Sequence, residues 1–201
     1  MDLTHAEDQP AKLSLDSLDA SAAKAVEFAA PEQRKDRVQI VVRQSVLNEV
    51  YAHGGDSTEI EICGVLVGRV CRDLLGAFVS IDGSIRGAHA TSQNAQVTFT
   101  AATWEHIHAE LEKRSDDSRI LGWYHTHPGF GIFLSSMDRF IHDNFFAMPE
   151  QVALVYDPIH YEQGLFVWRN GVPTLEPFVV ATDVDAKPTP VMTAMASTTS
   201  E

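Results

Sequence analysis

Between residues 38 and 178 the chain alternates short β-rich runs with stretches of helical spacing, and this alternation confines it to one mixed α/β core. "VQIVV" (Val38–Val42) reads as a strand. "RQSVLNEVYAHGG" follows, with Val46, Leu47, Val50 and Tyr51 on one helical face and Gly54-Gly55 as its stop. "EIEICGVLVGRV" and "GAFVSIDGSI" read as the next two strands. "TAATWEHIHAELEKR" sets Trp104, Ile107, His108 and Leu111 at helical spacing, which predicts a core role for His108 and a surface role for His106. "RILGWYHTH" is a strand, followed by a glycine-bracketed loop and a short helix from Ser135 to about Phe146. "QVALVYDP" and "GLFVWRNG" complete the strands.

The two ends differ from this middle. Residues 1–36 are rich in Ala, Asp, Glu, Ser and Lys, and residues 181–201 in Thr, Ser and Pro, so both read as disordered tails around one domain over 37–180. The net charge of −13 carries no basic patch and argues against a nucleic-acid partner. Only two cysteines are present, Cys63 and Cys71, too few for a disulfide framework and not spaced for zinc; they read as buried free thiols in a reducing compartment. No apolar run of about 18 residues suggests a membrane span. The N-terminus does not read as a signal peptide, so a cytoplasmic protein is expected.

The chemistry concentrates in "GWYHTHPGFGIFLSSMD" (Gly122–Asp138). On a strand, His125 and His127 project from the same face, and two imidazoles on one face can grip a metal ion such as zinc. Pro128 ends the strand, and Gly129 and Gly131 let the backbone turn back. Asp138, in the first turn of the next helix, completes a set of three ligands. That leaves a tetrahedral zinc one position open, as in catalytic rather than structural sites. Hydrolysis also needs an acid to handle the proton. Glu61, at the start of an apolar β run, is the candidate, and Glu59 two residues earlier shares its face.

Duller readings stand beside these. Ser135-x-x-Asp138 matches a helix capping box. Thr126 and Ser136 read as ordinary polar residues, and His142, one turn after Asp138, as a helix-surface histidine. In the loop, Phe133 reads as packing residue, with Phe130 undecided between core and groove.

Taken whole, "HTHPGFGIFLSSMD" resembles the JAMM signature of MPN-domain metalloproteases, His-x-His-Pro followed at fixed distance by Ser-x-x-Asp. "EICGVLVG" resembles the family's glutamate-bearing segment and favours Glu61 over Glu59. The resemblance implies a mostly antiparallel curved sheet flanked by about three helices, cytidine-deaminase-like. It also implies one Zn²⁺ per chain on His125, His127 and Asp138, with Glu61 as general acid/base and Ser135 as oxyanion partner. The implied reaction is hydrolysis of the amide after the C-terminal glycine of a ubiquitin-like protein. Release of an amino acid from a sulfur-carrier protein ending in Gly-Gly, and a non-catalytic scaffold, are the alternatives. The short stretch after Asp157-Pro158 lacks the insertion of many eukaryotic members, which implies a compact, prokaryotic-type, deubiquitinase-like form.

Overall fold

A computed structural model describes residues 38–73, 76–92, 97–114, 117–182 and 189–190. The expected N-terminal tail lies outside them, as does most of 181–201. Among the described residues fourteen elements follow in order: β1 (Gln39–Arg43), α1 (Gln44–Gly55), β2 (Cys63–Asp73), β3 (Gly76–Arg86), β4 (Thr91–Ser92), β5 (Val97–Thr98), α2 (Ala101–Glu112), β6 (Arg119–Thr126), α3 (Ser136–Phe145), β7 (Val152–Asp157), β8 (Glu162–Arg169), β9 (Val172–Glu176), β10 (Val179–Ala181) and β11 (Thr189–Pro190).

One nine-stranded sheet, ordered β11-β10-β1-β3-β2-β6-β7-β8-β9, forms the centre, and β4-β5 make a separate small pair. Pairing within the large sheet is mostly antiparallel, with β10-β1, β1-β3 and β6-β7 parallel. This is the mixed α/β architecture expected. Strands β9 and β10 go beyond the strands read from the sequence, and β10 pairs with β1 to bring the end of the domain beside its start.

Each sheet face buries its own core. On one, Val46, Leu47 and Val50 of α1 pack on Leu66, Leu154 and Leu165. On the other, Ile107 of α2 and Ile141 of α3 join Val65, Trp123 and Val155. A bulge in β6 decides which residue goes where: the register with β2 shifts between Leu66 and Val67, opposite Gly122 and Ile120. The extra residue, Leu121, drops into the α1 core, while Trp123 and His125 face α3. Regular alternation would have put Leu121 on their side. Gly122 makes the bulge possible. Its φ is +153°, and a Cβ there would sit 2.2 Å from the Val152 carbonyl oxygen.

One local reading holds and another changes. Helix α1 ends at Gly55, where the glycine pair was expected to stop it, with a cap at Asp56, whose N–H donates to the His53 carbonyl. Gly54 is also small for packing: a Cβ would meet the Tyr156 ring at 2.8 Å. On α2, His108 is exposed rather than core, and Thr103 takes the buried place beside Ile107, its side chain closing a capping box with Thr100. Cys63 and Cys71 are buried free thiols, as expected.

Candidate metal centre

The site forms where β6 runs out against the start of α3. His125 is on β6, and His127 lies just past its end but keeps strand-like pairing, its N–H donating to the Tyr156 carbonyl at 2.9 Å. The two Nε2 atoms stand 3.1 Å apart. Asp138 reaches them from the first turn of α3, with Oδ1 3.4 Å from His125 Nε2 and Oδ2 3.4 Å from His127 Nε2. All three side chains are buried.

The capping reading of Ser135 and Asp138 is realised in the same residues. Ser135 N–H donates to Asp138 Oδ2 at 2.7 Å, and Asp138 N–H to Ser135 Oγ at 3.2 Å. The cap fixes the aspartate on the helix terminus and so aims its carboxylate at the histidines. Burial alone would raise the Asp138 pKa, but hydrogen bonds from His125, His127 and Ser135 hold it far below the usual carboxylate range. Burial depresses His125; at His127 burial also lowers the pKa, but Asp138, Glu61 and the Gly131 carbonyl together raise it.

These donors fit zinc. Ligand atoms about 2.0–2.1 Å from a tetrahedral zinc stand roughly 3.3–3.4 Å from each other, close to the 3.1 Å between the two imidazole nitrogens and the 3.4 Å that each keeps from one oxygen of the Asp138 carboxylate. His127 Nδ1 lies 3.2 Å from the Gly131 carbonyl, an arrangement that keeps a proton on Nδ1 and leaves Nε2 free to ligate.

Glu61 lies two residues before β2, 6% exposed, with Oε1 3.9 Å from His127 Nε2. Burial pushes its pKa up to about 7, His127 and the Val97 amide opposing and Asp138 adding. Glu59 is exposed, and only Glu61 of the two approaches the histidines. Thr126, read as merely polar, holds Glu61's neighbour: its N–H donates to the Ile62 carbonyl, and its Oγ1 accepts the Ile62 N–H, both at 3.0 Å. Nothing local in the sequence announces this clasp across 64 residues.

His142 departs from expectation. It is fully buried, stacked on Trp168 at 4.6 Å, with Nδ1 accepting from Trp123 Nε1 at 3.2 Å. Indoles from β6 and β8 and the phenyl of Phe146, at the cap of α3, close over what the helix pattern left at the surface. In the loop the packing residue is Ile132, for which Gly164 makes room; Phe133 is 46% exposed although its ring lies 4.6 Å from that of His127, and Phe130 is exposed too.

Residues 35–151, more than half of the chain, match the family described as JAB1/Mov34/MPN/PAD-1 ubiquitin protease. The 26S proteasome regulatory subunit rpn11 of Schizosaccharomyces pombe is 27% identical over 129 residues, 64% of this chain and 41% of that protein. Ubiquitin carboxyl-terminal hydrolase RPN11 of Saccharomyces cerevisiae is 28% identical over 141 residues, covering 69% and 45%. The COP9 signalosome complex subunit 5 of Kluyveromyces lactis is 26% identical over 121 residues, covering 59% and 31%. The chain thus spans less than half the length of these relatives. Among solved structures, protein DSY2949 from Desulfitobacterium hafniense superposes with a TM-score of 0.55 at 20% identity, over 72% of this chain and 94% of that one, a likeness of fold. No helix among the described residues is long and apolar enough to cross a membrane.

Proposed function

The chain belongs to the JAB1/Mov34/MPN/PAD-1 family, and from that premise we propose that it is a zinc-dependent isopeptidase or peptidase cutting the amide after the C-terminal glycine of a ubiquitin-like protein. The observation that carries this reading is the convergence of two imidazole nitrogens and a carboxylate at 3.1–3.4 Å, with a second buried carboxyl 3.9 Å from one of them. Zinc held by His125, His127 and Asp138 would polarise the scissile carbonyl and bring the pKa of water towards neutrality.

The chain's own residues do the rest. Glu61, with a pKa near 7, accepts the proton of the attacking water and delivers it to the amine nitrogen as the C–N bond breaks. Ser135 Oγ uses a lone pair on the Asp138 amide, which leaves the hydroxyl hydrogen to donate to the carbonyl oxygen as it gains charge. Phe133, exposed with its ring 4.6 Å from that of His127, and the exposed Phe130 would flank an extended Gly-Gly tail.

Zinc content and cleavage of a ubiquitin-like protein fused through its terminal glycine to a reporter amine test this directly, on wild type and His127→Ala. One zinc per chain is expected, lost in the variant together with cleavage. A folded wild type that takes up no zinc when supplied would make the domain a scaffold.

A further inference from the structure

The segment from Pro128 to Leu134 has no helix or strand of its own, yet it carries the Gly131 carbonyl facing His127 Nδ1. Its anchor is Asp157, at the last position of β7 and wholly buried. Oδ2 accepts the Gly131 N–H and Oδ1 the Gly129 N–H, each at 2.9 Å. The same carboxylate takes the amides of Ile159 at 2.9 Å and His160 at 3.2 Å, and lies 2.8 Å from His160 Nδ1. Although burial raises its pKa, the His160 ring and these amides hold it well below the ordinary range, so it stays an acceptor.

Gly129 and Gly131 both have φ of +79°. Nothing lies within 4 Å of a Cβ at Gly131, so backbone conformation rather than crowding calls for glycine there. That conformation turns both amides onto one carboxylate, an anion-holding nest whose anion is a side chain.

We propose that Asp157 is a positioning residue of the metal centre: by clamping the Gly131 amide it sets the carbonyl that orients His127 and aims Nε2 at the metal. The inference rests on His127 being a zinc ligand. Partners behind a metal-bound histidine change metal affinity by about 10- to 100-fold.

Asp157→Asn keeps the size of the side chain, but its amide nitrogen cannot accept the Gly131 N–H. Zinc affinity by chelator competition, with circular dichroism and melting of the metal-free protein, provides the test. The expected result is zinc binding weakened about 10- to 100-fold in a folded variant, while His160→Ala, which keeps the carboxylate and the amides, stays near wild type. A folded Asp157→Asn with wild-type affinity overturns the proposal. Should that variant fail to fold, Gly131→Ala decides: it strains the backbone without filling occupied space, and unchanged affinity there overturns the proposal equally. Wild type binding zinc while the variants do too removes this inference alone; wild type binding none removes the functional reading with it.

Discussion

Tyr124 and His125 are neighbours on β6, and they point to opposite faces of the sheet. Beneath α1, the Tyr124 hydroxyl and His53 Nδ1 share a hydrogen bond at 2.7 Å, and Tyr51 donates its hydroxyl to Gln163 at 2.6 Å. These are neutral pairs that close on themselves. Facing α3, two histidines and the Asp138 carboxyl converge with Glu61 3.9 Å from His127, and His125 Nδ1 and His142 Nε2 are buried with no hydrogen-bond partner. Buried groups that pair off stabilise a fold. Buried groups that crowd one another shift each other's pKa values and mark a place for chemistry.

Substitutions on the two faces should separate activity from stability. Glu61→Gln on the α3 side keeps the volume and removes the proton carrier. Cleavage is expected to fall on the order of 10²–10⁴-fold, with zinc content and melting temperature retained. A variant as active as wild type in steady-state kinetics would leave Glu61 without its role. On the α1 side, Leu47→Ala empties a fully buried position and should cost about 2–5 kcal/mol in urea unfolding. Its cleavage rate per folded molecule should not change. A loss of rate at full folding would mean that the faces are coupled.

Legibility in the sequence follows the same division. His125, His127 and Asp138 could be brought together on paper because strand alternation and a helix N-terminus fix directions over a few residues. The cap, read beside metal ligation, holds the very carboxylate that ligation needs. What stayed hidden depends on contacts between distant segments: Thr126 clasping Ile62, Asp157 gathering the glycine amides, Trp123 and Trp168 burying His142. The bulge that moves Leu121 to the other core is hidden for another reason, since one extra residue inverts the alternation without altering composition.

Gly54→Ala sharpens the α1 side of the comparison. The added methyl would press on the Tyr156 ring from 2.8 Å and on Thr126 Cγ2 from 3.2 Å. Overpacking of this kind costs about 1–3 kcal/mol, whereas an exposed helical Gly→Ala, as at Gly55 where nothing lies within 4 Å, should gain roughly 0.5–1 kcal/mol. Opposite signs at adjacent residues are the outcome to look for in chemical denaturation. Like signs would mean that the helix sits less closely on β7 than described.

The smallest effect concerns pH. Burial, then Arg86, lowers the His53 pKa to about 4, against about 6.5 in an unfolded chain. Burial raises the Tyr124 phenol, so it keeps its proton beside a neutral His53. Between pH 6.5 and 4 the unfolded chain therefore binds more protons at this position than the folded one, and the stability that neutral His53 allows is lost as pH falls through that window. His125 and His142 are depressed on the other face as well, so the wild-type slope alone cannot be assigned. Subtraction isolates the contribution: in chelator-treated protein, His53→Gln, whose amide oxygen can still accept from Tyr124, should lose less stability than wild type between pH 7 and 5. Parallel slopes would show that acid sensitivity belongs to the metal-site face alone, and that the α1 face is closed to protons as well as to chemistry.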